Sequence, residues 1–128
     1  LLGDEAEELL KGRVQVINLW RPILPEPLRD SPLAVCDARS VDFDDLVPSD
    51  LVYRDRVGET YSVKYNPAHQ WYYVPEMRRD EALLLKCCDT KTDRARFMPH
   101  TGFTDPTTPP DAVPRESIEL RSLVFHPN

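Results

Sequence analysis

The amino-acid sequence predicts a mainly β domain, a β-sandwich or jelly roll, and three observations point there. Thirteen prolines against four glycines in 128 residues are about twice the usual proline share, which forces extended or turn backbone and excludes a helical bundle. Six or seven short segments alternate apolar and polar residues or carry β-branched runs. Turn residues punctuate them every eight to twelve positions, as in sandwiches and barrels. The length fits one domain over residues 1–128, and the start at Leu1-Leu2-Gly3 without Met reads as a fragment.

The elements follow in order. Residues 4–11, Asp-Glu-Ala-Glu-Glu-Leu-Leu-Lys, carry acids in the first turn and Lys at the end, which complements a helix dipole, and Gly12 stops that helix. Arg13 to Trp20 is β-branched-rich and closed by Pro22, a strand with Val14, Val16, Asn18 and Trp20 on one face. Asn18 beside Trp20 is either a satisfied core amide or a ligand contact. Residues 22–32 hold Pro22, Pro25, Pro27 and Pro32 and form an irregular crossing. Leu33 to Cys36 is a short strand.

The stretch Asp37 to Asp50 lacks the glycine and terminal glutamate of a calcium loop, so it reads as a solvated acidic loop. Thr60 to Asn66 and Gln70 to Val74 are two strands meeting at a corner. Periodicity alone does not separate Ala82 to Cys88 from a buried helical turn, but its brevity and the turn at residues 89–93 favour a strand. Arg94 to Phe103 surrounds Pro99-His100, and Glu116 to Phe125 follows a loop with Pro106, Pro109, Pro110 and Pro114. No internal repeat is visible.

Sixteen basic against 22 acidic residues give a net charge of −6 with no basic stripe, which excludes nucleic acid as a partner. The apolar runs are far shorter than the roughly 20 residues a membrane helix needs. Cys36, Cys87 and Cys88 lack zinc-ligand spacing and no secretory signal precedes them, so they read as buried structural thiols in a reducing cytoplasm. His69 is read as a pocket or turn histidine, and His126 as solvated near the terminus.

Toward the C-terminus, His100 and then Arg115-Glu116-Ser117 stand on or before successive strands. A guanidinium with a hydroxyl two residues on suits a carboxylate, because the planar fork takes both oxygens and the hydroxyl adds a third bond. A neutral imidazole nearby is a natural iron ligand. This spacing, with the phrases Ile17-Asn18-Leu19-Trp20-Arg21-Pro22, residues 32–40, Tyr61 to His69, Pro99-His100-Thr101 and Arg115 to Glu119, resembles the fungal hydroxylase/desaturase family of Fe(II)- and 2-oxoglutarate-dependent dioxygenases. The likeness covers nearly the whole chain.

The resemblance implies the later part of a double-stranded β-helix, with Fe(II) and 2-oxoglutarate as cofactors and a small secondary metabolite hydroxylated or desaturated. It makes His100 the distal iron ligand and Arg115 with Ser117 the 2-oxoglutarate anchor, Arg121 being the second candidate for that anchor. Trp20, Trp71, Tyr72 and Tyr73 are candidates to wall a pocket with Asn18, the alternative for those aromatics being ordinary core. The family's His-x-Asp, which lies upstream of the opening helix in relatives, occurs nowhere in the 128 residues, so the chain alone is expected to be inactive. A non-catalytic jelly-roll binding protein is the alternative, and homo-oligomerisation stays open. A methyltransferase has no Gly-rich turn after a strand to support it.

Overall fold

A computed structural model describes residues 3–126. The opening helix is shorter than its charge pattern suggests. A tight turn at Gly3–Glu5 leads into one helical turn, α1 (Ala6–Leu9), with no side-chain cap at Glu5. One turn with no buried face gains little from packing, so it stays short.

Eight strands follow: β1 (Arg13–Pro22), β2 (Leu33–Cys36), β3 (Leu46–Val52), β4 (Val57–Val63), β5 (Trp71–Tyr73), β6 (Leu83–Asp89), β7 (His100–Gly102) and β8 (Ser117–His126). They form an antiparallel sheet β6-β1-β8, a second antiparallel sheet β5-β2-β7, and a separate hairpin β3-β4. β1 can pair on both edges because Val14, Val16 and Ile17 favour extended backbone, and its proline is last, where the missing N–H does least harm.

The expected acidic loop is only half a loop. Asp37 and Asp42 each accept a backbone N–H two residues on and nucleate short turns, but Leu46–Val52 then pairs along its full length with β4. The two strands expected to meet at a corner belong to different sheets, β4 to the hairpin and β5 to the second sheet. The stretch 94–103 keeps only three strand residues, because Pro99 interrupts pairing before His100.

The two three-stranded sheets face each other across one core. Trp20 and Leu85 project from the first sheet and Leu33 from the second, packed with Leu24, Leu28 and Met77 from the connecting segments and bordered by Val35, Leu83 and Met98. The proline-rich crossing at residues 22–32 therefore fills the core edge, and Leu28 N–H donates to the Met77 carbonyl to close it. Leu85 is wholly excluded from solvent, and each such side chain contributes about 1.5–3 kcal/mol by burial.

The β1-β6 ladder slips once, between Val16 and Ile17. Cys88 pairs with Val16 and Lys86 with Ile17, leaving Cys87 as the extra residue of a bulge. Only Cys36 of the three free thiols is fully buried. Cys87 and Cys88 are half-buried, because the bulge and the sheet edge leave them partly open.

Candidate functional site

The inner face of the second sheet is set by strand alternation. Val35 packs on the core, and His100 lies directly opposite it on β7, so the imidazole faces inward. Pro99 ends the incoming segment, and its carbonyl accepts from Cys36 N–H, which pins β7 to β2. His100 Nδ1 lies 3.0 Å from the Met98 carbonyl, an acceptor only, so Nδ1 carries the proton and donates. In the neutral imidazole that bond puts the lone pair on Nε2, the atom a metal ligand would present.

Gly102 is one pleat from His100 on the same face, opposite the core residue Leu33. A Cβ there would stand 2.8 Å from Arg115 Nη1, so the guanidinium occupies the space that a side chain at 102 would take. Arg115 Nη1 donates to the Ser31 carbonyl at 2.7 Å, and its backbone N–H to Asp30 at 3.2 Å. Ser31, at a positive φ of 49°, turns its carbonyl toward this contact. Fifteen residues apart in sequence, His100 and Arg115 become neighbours on one face. Ser117 begins β8 opposite Pro22, two residues past Arg115.

Arg121 sits elsewhere, four residues farther along β8 and directly opposite Asn18. Its Nε donates to Asn18 Oδ1 at 3.3 Å, while Asn18 Nδ2 donates to Glu119 Oε1. Asn18 is 2% exposed, so this bridging amide is the satisfied core amide that the sequence allowed, with both its polar atoms engaged. Trp20 is in the core cluster itself. Trp71 pairs opposite Cys36 and stacks edge-on against His69, on the face of β5-β2 turned away from His100, because β-strand alternation sets it there. Tyr72 shares the inner face with Val35 and is half exposed, whereas Tyr73 packs edge-on against Phe103.

Sequence reasoning missed Gly102, Glu119 and the orienting carbonyls of Met98 and Ser31. Only the alternation Ser117, Glu119, Arg121 could have signalled Glu119, since those residues share a face.

The remaining ionisable groups hold the scaffold. Asp89 is buried at the end of β6 and accepts from Arg13 (3.0 and 2.5 Å), Gln15, Lys86 and the Lys91 N–H. The Arg13 guanidinium in particular holds its carboxyl far below the ordinary carboxylate range. His69, read as a pocket or turn histidine, is buried against Asp45 at 3.0 Å, and Asn66 donates to the same carboxylate and holds it below its usual value. His126 is a correction: it is half-buried in β8, its Nε2 2.8 Å from Gln15 Oε1, because β8 pairs with β1 to its last described residue.

Among the described residues no group of three His, Cys, Asp or Glu side chains could hold a metal ion. What the chain does offer fits part of an iron site: one imidazole with a free Nε2, and one guanidinium seated beside it in a space kept open by a glycine. No helix among the described residues is long and apolar enough to cross a membrane.

Comparison with known proteins bears on the fold and the family. The family described as an oxidoreductase/YMDC permease-like domain matches residues 1–125. The hydroxylase/desaturase asaB of Aspergillus flavus is 48% identical over 136 residues, covering 94% of this chain and 59% of that protein. Aspirochlorine biosynthesis protein N of Aspergillus oryzae is 43% identical, covering 99% of this chain and 54% of its own length. A solved structure of the iron and alpha-ketoglutarate-dependent endoperoxidase NvfI, a W199F variant, superposes with a TM-score of 0.90 at 35% identity, over 98% of this chain and 47% of that one. The chain thus spans about half the length of the relatives it matches. With the facing sheets of a jelly roll and this degree of likeness along its whole length, the chain belongs to the oxidoreductase/YMDC permease-like family, and the relatives it resembles carry the names hydroxylase/desaturase and Fe(II)/2-oxoglutarate-dependent dioxygenase.

Proposed function

We propose that this chain is the part of an Fe(II)- and 2-oxoglutarate-dependent oxygenase that carries the distal iron ligand and the cosubstrate anchor, and that the whole protein hydroxylates or desaturates a small secondary metabolite. The observation that carries the reading is the adjacency of His100 and Arg115 across Gly102. Relatives named as hydroxylase/desaturase and as iron- and alpha-ketoglutarate-dependent support it. When bound, iron and 2-oxoglutarate supply the oxidising power by activating dioxygen.

The chain's own residues do the rest of their share. His100 presents Nε2 because the Met98 carbonyl holds Nδ1–H. Arg115 keeps its charged fork turned to the inner face, fixed at one nitrogen by Ser31, and pairs with a carboxylate better than a lysine would. Ser117 adds a hydroxyl two residues along. Trp20 packs in the core between the sheets, and the buried Asn18 amide holds Glu119 and Arg121 on the first sheet.

Titration calorimetry with Mn(II) in place of iron tests the reading. The 128-residue chain, with one ligand, is expected to bind no metal at micromolar concentration, and a full-length gene product that includes a His-x-Asp is expected to bind it. Tight binding by the short chain would overturn the ligand assignment, and so would His100→Ala binding normally in the long one.

A further inference from the structure

We infer that Asn18, Glu119 and Arg121 form a second polar subsite on the inner face of the first sheet, one that receives a neutral, largely apolar compound through an adjacent hydroxyl and carbonyl. The inference rests on the proposed oxygenase reading and names the substrate class for it.

The placement follows from register. Leu85, Asn18 and Arg121 make one cross-strand row, and Leu83, Trp20 and Glu119 make the next, all on the face that carries the core. On β6 and β1 that face is covered, with Leu85, Trp20 and Asn18 all at 4% exposure or less. On β8 it is open, and Glu119 and Arg121 are both exposed. The subsite is therefore a polar shelf beside an apolar wall, flanked by the part-exposed Leu123 in the row opposite Val16.

Both charged groups are oriented yet unsaturated. The single buried amide of Asn18 receives Arg121 Nε on its oxygen and gives its N–H to Glu119 Oε1. Among the described residues, Glu119 Oε2 and both Nη groups of Arg121 have no protein partner. A spare acceptor and a spare pair of donors, two residues apart on one strand, sit about 7 Å apart at their Cα atoms and converge on one amide. One acid and one base cancel in charge, which suits a neutral ligand better than a dianion such as 2-oxoglutarate. A ligand hydroxyl donates to Glu119, a neighbouring carbonyl accepts from Arg121, and the hydrocarbon lies along Leu123. Asn18 acts as a positioning residue and does not touch the ligand.

The test uses the full-length gene product, with benzoin and deoxybenzoin as probes that differ by one hydroxyl. Binding is followed by saturation-transfer NMR on the metal-free protein, and 2-oxoglutarate affinity separately by calorimetry with Mn(II). Wild type is expected to hold benzoin at least fivefold tighter than deoxybenzoin. Glu119→Gln and Arg121→Gln should each abolish that preference, Arg121→Lys should restore part of it, and Arg115→Gln should keep it. An unchanged thermal midpoint in each variant shows that the fold is intact. Absence of the preference in wild type, or its survival in both the Glu119 and Arg121 variants, overturns the subsite. So does a loss of 2-oxoglutarate affinity in Arg121→Gln as large as in Arg115→Gln. If neither arginine variant affects 2-oxoglutarate while the benzoin preference still depends on Arg121, the cosubstrate anchor at Arg115 fails and the subsite stands.

Discussion

Gly102→Ala isolates the seat of the Arg115 guanidinium from every other property of the site. The new Cβ would stand 2.8 Å from Nη1, about 0.6 Å inside the 3.4 Å at which ordinary contact begins. The backbone at Gly102 is extended and not left-handed, so alanine is conformationally permitted there and should add about 0.4–1 kcal/mol of stability through the unfolded chain. Any loss of function is then steric. The guanidinium must tilt away from β7 and give up one of the two bonds of its fork, which costs about 1.5 kcal/mol, roughly tenfold in affinity. Arg115→Ala removes both bonds and the charge, a loss of about 3–5 kcal/mol, or more than a hundredfold. Arg121→Ala, on a different row of the sheet, should change the 2-oxoglutarate KM by less than threefold. Succinate formation by the full-length protein, measured against 2-oxoglutarate concentration, reads all three. If Gly102→Ala leaves KM unchanged while Arg115→Ala raises it, the guanidinium does not rest on β7 during binding. If Arg121→Ala has the larger effect, the anchor assignment and the role of Ser117 both fall.

Other predictions concern the scaffold. Leu85→Ala opens the centre of the core and should cost about 2–5 kcal/mol, a fall in Tm of about 10 °C for a chain of this size; a fall under about 3 °C in a calorimetric scan would mean the two sheets do not share this core. Asp89 and Asp37 both have depressed carboxyl pKa values, Asp37 at about 2 because of its hydrogen bonds from Arg39. Their contribution is present above the unfolded value near pH 4 and is lost as the pH falls toward the folded values, so stability should drop from pH 4 to pH 2. Asp89→Asn should flatten that slope in acid titrations followed by circular dichroism, and an unchanged slope would place the acid sensitivity elsewhere. On the outer face of the first sheet Leu84, Leu120 and Ile118 are 67%, 62% and 55% exposed, so the 128-residue chain should self-associate. Light scattering should report oligomers that Leu120→Glu disperses; a monodisperse wild-type monomer would count against that face.

The sheets were legible where one strand's own pattern determines it. The β-branched run of β1, the short β2 and the long alternating β8 stood within two residues of their observed limits, because Pro22, Pro32 and the loop prolines punctuate them. β3 was not legible, since Pro48 and Asp50 disguise a strand whose partner, β4, supplies the pairing. For the site, His100, Arg115 and Ser117 could be singled out from residue chemistry and resemblance, but their adjacency could not. It depends on β7 lying against β2 and on a loop of four prolines returning the chain. Alternation could place Glu119 on the face of Arg121, but its bond to Asn18 was hidden because that partner stands 101 residues away, and the Asp89 network was equally hidden because Arg13 is 76 residues distant.

The bulge at Cys87 has a consequence for insertions and deletions. With Leu85 opposite Asn18 on the inner face, an unbroken ladder would set residue 89 opposite Val14, pointing a carboxylate into the apolar interior. The extra residue flips that end of β6, so Asp89 meets Gln15 and shares the outer side with Arg13 and Lys86, the three side chains that satisfy it. Substitution at 87 leaves this parity intact. Losing the codon would exchange the two faces from that point on, so the position tolerates many identities but not vacancy.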